Sequence, residues 1–451
     1  MIKSLLSRLK NESGIRRIAF NSGWLLVDDL IRIIPNFFIG IWLARYLGPD
    51  LYGQWNYAIA LVGMFAILTT LGLDNIIVRD LAGRQNNKEE VLGSSFVLKA
   101  VGSVVALILA VLASAFLSNS HFITLLVFII ALSYVFQSFD TIYSWFIFRV
   151  EIKYMVIART CAFLITTGIK IFLIVSHAPL IYFVIISTVE LLLAAIGYIM
   201  AYRIDGESVS QWKPKWLVIK KALKDCAPII IAGVFSAIYL KFDRILVNKL
   251  IDSAALGNYA VGTTLTDSWG FIATAITTSV YPAIIYSKNV GEKFYLNRLQ
   301  KLYNFMILLS IVIALPISIF SKQIINLLYG SQYAQAPIVL SIYVWSSVFL
   351  FLDGATSKWF YVENLQKYIL YKTMIGAVFS VILNLLLIPR YGVAGAAVAS
   401  LTSTFIVVYA LNFFFKEIRV AFKMQTISLL FPLHIYDFAK YIKLSKKEID
   451  D

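Results

Sequence analysis

The sequence Ala237-Ile-Tyr-Leu-Lys-Phe-Asp-Arg-Ile-Leu-Val-Asn-Lys-Leu250 places charged side chains inside an otherwise apolar segment. The innermost three are Lys241, Asp243 and Arg244. A charged side chain is costly in hydrocarbon, so charges within membrane segments are rare and usually face a cavity or a partner. If this segment spans a membrane, its charges are the first candidates for lining a transport path.

Composition assigns the chain to the membrane proteins. Its 451 residues are 60% hydrophobic and 14% charged, whereas soluble domains average about 45–50% apolar and roughly 25% charged residues. Many apolar runs reach about 20 residues, the length that a helix needs to cross a bilayer. They lack the polar–apolar alternation of membrane β-strands. The sequence therefore predicts an all-α integral membrane protein.

Twelve transmembrane helices are predicted, six on each side of a polar linker. This gives an N-terminal six-helix bundle at 1–201, a cytoplasmic linker at 202–225, a C-terminal six-helix bundle at 226–415 and a basic cytoplasmic tail at 416–451. Two interpretations of the tail stay open: it is a segment along the inner membrane surface or a poorly ordered end. The predicted spans are 18–44, 52–76, 92–117, 122–147, 160–177, 179–201, 226–250, 255–282, 302–320, 338–361, 368–388 and 392–415.

The distribution of basic residues supports this topology. With the N-terminus in the cytoplasm, most of the 40 Lys and Arg residues lie in or beside the inner connections. The outer connections hold only Arg45, Lys249, Lys322 and Arg390. This asymmetry follows the positive-inside rule and predicts that both termini are cytoplasmic. The net charge of +15 is spread over short loops, so no nucleic acid is expected as a partner.

A short internal match relates the two halves. Leu51-Tyr-Gly-Gln-Trp-Asn56 aligns with Ala255-Leu-Gly-Asn-Tyr-Ala260, which pairs Gly53 with Gly257. Six spans return the chain to the same side of the membrane, so the two halves would have the same orientation. Transporters are often built from such repeats around a central site. The sequence thus predicts two pseudo-symmetric bundles.

The first predicted span carries a compact group of charges at its centre. Arg32 follows Asp28 by four residues and Asp29 by three. This spacing permits ion pairing on one helix face. Two interpretations stay open, a self-neutralised cluster or a site where a proton or cation competes for a carboxylate that Arg32 otherwise satisfies.

Other spans carry further charges. Lys170 and Glu190 lie near the middle of successive spans and are expected to pair across that hairpin. Asp267 has no cation nearby on its own helix, which favours either a proton relay or a hydrogen-bonded structural acid. Lys241 lies closer to the membrane centre than Arg244, which can reach the outer interface with its long side chain.

Two lysines lie toward the predicted cytoplasmic ends of their spans. These are Lys99 and Lys358, and both are expected to extend to the interface. Asp243 adjoins Arg244, and sequence neighbours do not face each other on a helix. Each of those two is therefore expected to find a partner elsewhere.

Four segments, in order along the chain, resemble the Wzx-type O-antigen and capsule flippases. They are Leu43-Ala-Arg-Tyr-Leu-Gly-Pro-Asp-Leu-Tyr-Gly53, Leu71-Gly-Leu-Asp-Asn-Ile-Ile-Val-Arg-Asp-Leu-Ala82, Phe242-Asp-Arg-Ile-Leu246 and Ile388-Pro-Arg-Tyr-Gly-Val-Ala-Gly-Ala-Ala397. That family belongs to the multidrug/oligosaccharidyl-lipid/polysaccharide exporter superfamily. The resemblance implies two six-helix lobes around a central cavity that opens alternately to either side.

The resemblance also implies a cargo. A polyprenyl-pyrophosphate-linked oligosaccharide unit of O antigen, capsule or exopolysaccharide would move from the cytoplasmic to the outer leaflet of the bacterial plasma (inner) membrane. A proton or sodium ion, or the membrane potential, would drive the cycle. A polysaccharide polymerase and a chain-length regulator are the protein partners that this role implies, and no cofactor or metal is expected.

Such a cargo assigns roles to the intramembrane charges, because Arg and Lys can offset the charge of a pyrophosphate. The first and seventh helices are expected to face each other across one cavity, to which Arg32 and Lys241 offer positive charge. The predicted substrate-binding cations are Arg32, Lys241, Arg244 and Lys170, and the predicted coupling carboxylates are Asp28, Asp29, Asp267 and Asp243.

Two other function classes compete with this hypothesis. A drug or cation exporter of the same superfamily should favour acids over bases in its cavity. A membrane enzyme, such as a polysaccharide polymerase, usually has a large outer loop or domain, whereas the longest outer connection here is about 321–337. No catalytic constellation is recognisable, so an enzyme is not expected.

Overall fold

The structure, a computed structural model, describes residues 12–83, 87–118 and 120–430. Between residues 12 and 30 it describes the exposure of Gly23 and the side chains of Trp24 and Asp28. The side chain of Asp29 and the tail beyond Leu430 therefore lie outside the described part. Within that part the chain forms helices and no strand, which confirms the all-α prediction.

Contacts divide the described residues into two compact units, an N-terminal unit that ends at Lys249 and a C-terminal unit that begins at Leu250. The helices of the first unit are α1 Glu12–Met64, α2 Ala66–Thr70, α3 Leu73–Ala82, α4 Lys88–Leu117, α5 His121–Gln137, α6 Asp140–Arg149, α7 Lys153–Val175, α8 Leu180–Ile204 and α9 Trp216–Leu250, with a 3₁₀ turn at Val209–Gln211.

The C-terminal unit continues with shorter and longer helices. They are α10 Ser253–Asp267, α11 Gly270–Val290, α12 Glu292–Ile319, α13 Ser321–Leu328, α14 Ala336–Tyr343, α15 Ser346–Glu363, α16 Lys367–Phe405, a π-helix at Ile406–Ala410, α17 Leu411–Phe414, a 3₁₀ turn at Lys416–Ile418 and α18 Arg419–Leu430.

Each of the twelve predicted spans falls on helical segments, and two pairs of predicted spans lie on helical runs that a glycine interrupts. Of the described helices, eight are long and apolar enough to cross a membrane, or nine if one bent pair counts as a span. The helical run Lys367–Phe414 holds two predicted spans, because α16 continues across a break at Gly392 (φ 59°, ψ −139°). Likewise α1 joins the first two spans across Gly48 (φ 72°, ψ 173°).

Both breaks depend on glycine. A positive φ is disfavoured for residues with a Cβ, and Pro49 directly after Gly48 suits the first turn of a new helical run. After the second break, a Cβ on Gly395 would lie 2.2 Å from the carbonyl oxygen of Leu387. The close approach of the two runs of α16 therefore requires glycine at position 395.

The linker between the predicted bundles is fixed to the N-terminal unit. The backbone N–H of Lys213 donates to the carbonyl oxygen of Glu89 over 3.1 Å, and that of Lys215 donates to Ser94 Oγ over 3.0 Å. Lys88 Nζ lies 2.5 Å from Glu207 Oε1. The linker and α9 thus pack with the first unit, one span beyond the predicted boundary at 202–225.

The first part of the predicted tail narrows the expectation for 416–451. Helix α18 packs into the core of the C-terminal unit. Gln425 is fully buried, and its Nε2 donates to Thr356 Oγ1 over 2.9 Å. Its Oε1 accepts from Asn412 Nδ2 over 2.9 Å. Residues 419–430 therefore form an ordered helix and not a loose end, and the alternative of a segment along the inner membrane surface stays a prediction.

Candidate functional site

A polar cavity of about 220 Å³ opens between helices of the N-terminal unit. Helices α1, α5, α6, α7 and α8 contribute its walls. An ionisable side chain within a membrane segment is a functional candidate, because its burial is costly. The lining residues are Arg32, Phe136, Gln137, Asp140, Tyr143, Arg159, Glu190, Leu191, Ala194 and Tyr198.

Arg32 is the central cation of this cavity. Its Nη2 donates to Glu190 Oε1 over 3.2 Å, and its Nη1 donates to the carbonyl oxygen of Arg159 over 3.4 Å. Its guanidinium carbon lies 4.9 Å from the ring centre of Phe163. The expected pair with Asp28 on the same helix is therefore replaced by a pair across helices, because α8 brings a carboxylate against α1.

Glu190 bridges two cations. Lys170 Nζ lies 3.1 Å from Glu190 Oε2, which confirms the predicted pair across the hairpin of α7 and α8. Thr166 Oγ1 donates to the same oxygen over 3.2 Å, while Arg32 binds the other oxygen. One carboxylate thus faces two positive charges, and the group keeps an excess of one cation.

A second ion pair joins α1 to α7. Arg159 Nη1 lies 3.6 Å from Asp28 Oδ2, with the side chains 44% and 3% exposed respectively. Thr160 Oγ1 donates to the other oxygen of Asp28 over 2.7 Å. Asp28 is therefore held by two partners, whereas Arg159 makes one long contact and faces open space.

The sequence prediction did not include Arg159 or Asp140 among the site residues. Arg159 was counted with a loop because the fifth span was expected to begin at residue 160, whereas α7 begins at Lys153. The apolar run 154–158 before Arg159 was the available signal. Asp140 opens α6, where a break after α5 interrupts the predicted span 122–147.

Lys99 forms an ion pair with a half-exposed carboxylate. Its side chain is 2% exposed, and Nζ lies 2.6 Å from Oδ1 of Asp74, whose side chain is 53% exposed. Ser144 Oγ also donates to that oxygen over 3.5 Å. The extension of Lys99 to the interface stays a prediction. Lys358, in the C-terminal unit, has its Nζ 5.4 Å from the ring centre of Tyr281.

The charged residues of the seventh predicted span do not line this cavity. The Cε of Lys241 lies 3.9 Å from the position that a Cβ on Gly63 would take. Asp243 is buried and accepts the backbone N–H of Arg244 over 2.8 Å. Lys241 is therefore not a lining residue of this cavity, and its juxtaposition with Arg32 stays a prediction.

Asp267 lies in the C-terminal unit, at the end of α10. Its side chain is exposed, and its Oδ1 accepts a hydrogen bond from the hydroxyl of Tyr343 over 3.3 Å. This contact agrees with the interpretation of Asp267 as a hydrogen-bonded structural acid. A role in coupling stays a prediction.

A family model described as "Polysaccharide biosynthesis protein" matches residues 18–288, more than half of the chain. The chain belongs to the polysaccharide biosynthesis protein family. A second model, MatE, matches residues 228–386. The first match covers the helices that build the charged cavity.

Three relatives of this polysaccharide biosynthesis protein are distant in sequence. The "Probable low-salt glycan biosynthesis flippase Agl15" of Haloferax volcanii is 22% identical over 216 residues, which cover 47% of this chain and 45% of that protein. The "Capsular polysaccharide biosynthesis protein CapF" of Staphylococcus aureus is 20% identical over 422 residues, with 88% and 99% covered. A membrane protein of Methanocaldococcus jannaschii, MJ1068, is 32% identical over 132 residues, with 27% and 24% covered. The chain thus spans less than half the length of two of these three relatives.

Solved structures identify the fold. The lipid II flippase MurJ in an inward closed conformation superposes with a TM-score of 0.68 at 16% identity, covering 93% of this chain and 92% of that one. An inward-facing multidrug resistance MATE family transporter of the MOP superfamily gives a TM-score of 0.61 at 12% identity, with 88% and 96% covered. The predicted MATE-like fold of a multi-pass membrane protein is confirmed.

Proposed function

We propose that this protein is a flippase that carries lipid-linked oligosaccharide units from one membrane leaflet to the other. The observation that carries the proposal is the cavity of the N-terminal unit, where Arg32 and Arg159 lie together inside membrane-spanning helices. The family membership supports it, as do the names of a glycan biosynthesis flippase and a capsular polysaccharide biosynthesis protein among the relatives.

The cavity suits the charged part of such a cargo better than its sugars. Its volume of about 220 Å³ is below the ~300–1,000 Å³ of typical small-molecule sites. A pyrophosphate carries its charge on compact oxygens, which Arg can bind in bidentate fashion. The cavity would therefore hold the pyrophosphate, and the oligosaccharide would extend beyond it.

Exchange of partners gives a mechanism for binding. Arg159 is the more exposed cation and makes the longer ion pair, so it would meet the pyrophosphate first. Arg32 would then exchange Glu190 for a phosphate oxygen. Glu190 would keep Lys170 and Thr166 as partners, which avoids the large cost of leaving a buried charge unpaired. The cavity would thus present net positive charge to the cargo, and the Glu190 carboxylate would keep its partners.

The finer details of the role are part of the same proposal. We infer alternating access between two bundles, 1–201 and 226–415, with both termini in the cytoplasm of a plasma membrane. The proposed cargo class is a lipid-linked glycan, because two relatives carry the names of a glycan biosynthesis flippase and a capsular polysaccharide biosynthesis protein. O antigen, capsule and exopolysaccharide stay as alternatives for it. Proton, sodium and membrane potential stay as alternatives for coupling, with a polymerase and a chain-length regulator as partners.

Gene deletion tests the proposal. We expect the deletion strain to lose surface polysaccharide and to accumulate lipid-linked units on the inner face of the membrane. Complementation with the wild-type chain should restore the polymer. An unchanged polymer, with no accumulated intermediates, would contradict a flippase role. Transport in reconstituted vesicles under imposed proton, sodium or electrical gradients identifies the coupling.

An exporter of cationic drugs is the second candidate. Asp140 and Glu190 line the same cavity, and acids are what a cationic cargo would need. The MatE model match over residues 228–386 also favours this candidate. The drug susceptibility of the deletion strain discriminates the two, since a flippase predicts unchanged resistance to cationic compounds and an exporter predicts its loss.

A further inference from the structure

The first turns of α9, before the predicted span at 226–250, present one exposed face. Residues four apart follow one another along a helix, and here Trp216, Lys220 and Lys224 form one stripe, with Leu217 and Lys221 beside it. The two apolar residues are 74% and 72% exposed, and the three lysines are exposed as well. These five residues are called the α9 basic face.

The opposite side of this segment is packed. Val218, Ala222 and Cys226 are buried, and Ala222 and Cys226 belong to the hydrophobic core of the N-terminal unit. Upstream, the backbone bonds of Lys213 and Lys215 to α4 fix the entry into the helix. The α9 basic face therefore has a fixed direction, and its exposure is not the result of a loose segment.

Interactions within the chain do not account for these lysines. Lys220 and Lys224 are four residues apart on one helix face, where like charges repel each other, and the first turn of α9 has no acidic residue. The neighbouring carboxylate of Asp225 already binds Arg79, with Nη2 and Oδ2 2.5 Å apart. Among the described residues, no ion pair or hydrogen bond of the Lys220, Lys221 or Lys224 side chain is found. The three charges are thus unfavourable for the isolated helix.

Anionic lipid headgroups would compensate these charges. The segment Trp216–Asp225 extends about 15 Å along the helix axis, which is enough to cross the headgroup layer of roughly 5–8 Å on one side of the hydrocarbon. Trp is enriched at that interface, and lysines there attract anionic lipids. We propose that the α9 basic face binds anionic phospholipid headgroups of the leaflet where α9 enters the membrane.

This site is separate from the charged cavity. None of the five residues of the α9 basic face lines that cavity, and the binding does not depend on the identity of the cargo. Lipid binding would hold the helix that carries Lys241 and Arg244 at a fixed depth in the membrane. Its first turns would contact both the lipid surface and the core of the unit.

Lipid binding to the purified full-length protein tests the proposal. Binding of fluorescent phosphatidylglycerol and phosphatidylcholine in detergent is compared for the wild type and the variant Lys220→Gln/Lys221→Gln/Lys224→Gln. We expect the affinity for phosphatidylglycerol to fall about fivefold for each lysine removed, with the affinity for phosphatidylcholine unchanged. The corresponding triple Lys→Arg variant keeps the charge and should keep the binding.

The matched control removes three exposed lysines of the C-terminal unit, Lys293, Lys301 and Lys322, and should bind phosphatidylglycerol like the wild type. The Tm of each variant reports whether it is folded. Equal affinity of the α9 variant and the wild type would overturn the proposal, as would an equal loss in the control. Displacement of the lipid by stoichiometric inorganic pyrophosphate would also overturn it, because the face would then belong to the cargo.

Discussion

The two compact units differ in how their buried polar side chains are paired. In the N-terminal unit, Arg32 and Glu190 form an ion pair beside a cavity. In the C-terminal unit, the hydroxyls of Tyr303 and Thr356 and the amide of Gln425 form a neutral network. Ion pairs can exchange partners with a charged cargo, whereas a satisfied neutral network gains nothing from it. The difference supports the proposal that the cargo binds to the first unit, and it indicates a structural role for the neutral network of the second.

The largest expected effect comes from placing a charge in the neutral network. Gln425→Glu keeps the shape of a fully buried side chain but adds a carboxylate without a cation. An uncompensated buried charge costs about 3–5 kcal/mol, so the Tm of the purified protein should fall sharply. The loss should shrink as the pH is lowered, because a protonated carboxyl is neutral. The exposed Gln323 is the control, and Gln323→Glu should leave the Tm unchanged. An unchanged Tm for Gln425→Glu would contradict the neutral network.

The second effect concerns transport. Arg32→Ala removes one partner of a largely buried ion pair, a change that costs about 2–5 kcal/mol in binding. We expect flipping in reconstituted vesicles to fall at least about 30-fold. The protein should stay folded, since Glu190 keeps Lys170 and Thr166. Arg32→Lys, which retains the charge, should be milder. A parallel loss of protein level and transport would mean that Arg32 serves the fold alone.

Lys372 in α16 is an exception to the neutral polar network of the C-terminal unit, because it is a buried basic residue. Its Nζ has no hydrogen-bond partner among the described residues and lies 5.2 Å from the ring centre of Phe360. Lys372→Met keeps the length of the stem and removes the buried polar group, which should stabilise the protein by about 1–3 kcal/mol. Flipping per folded molecule should not change. Loss of transport in a more stable variant would show that the second unit also supplies a functional charge.

The smallest effect is expected in α9. Lys241 is half-buried and does not line the cavity, so Lys241→Ala should lower flipping by about two- to fivefold, which corresponds to the loss of ~0.5–1 kcal/mol. Arg244→Ala is the comparison at the neighbouring charge and should be similar. A loss as large as that of Arg32→Ala, with unchanged protein level, would restore the predicted pair of Arg32 and Lys241 as the cargo site.

The fold could be predicted from the sequence because length and hydropathy of the apolar runs decide it. The break at Gly48 was predictable too, because it lies in the predicted connection between the first two spans. The break of α16 at Gly392 falls on the first residue of the predicted last span. The packing of helix α18 was not predicted. Its mixture of lysines and apolar residues indicates a surface segment, and only the network around Gln425 explains its burial.

The site was predictable where partners lie close in sequence. Lys170 and Glu190 sit on adjacent helices of one hairpin, and their pair was expected. Arg32 and Glu190 are separated by 158 positions, and no periodicity indicates that pair. Asp28 and Arg32 have the right spacing for each other, yet carboxylates and cations of α7 and α8 bind them instead. The tertiary contacts therefore outweigh ion pairing between residues four apart on one helix, which contributes only about 0.2–0.5 kcal/mol.

The most direct test of the account is the equilibrium binding of a polyprenyl-pyrophosphate oligosaccharide to the purified protein. The wild type is compared with Arg32→Ala, and polyprenol without phosphate serves as the reference ligand. The account predicts that the Arg32 variant binds the pyrophosphate lipid at least about 30-fold more weakly, with no change for polyprenol. Equal affinity of the two proteins for the pyrophosphate lipid would contradict the assignment of the charged cavity to the cargo.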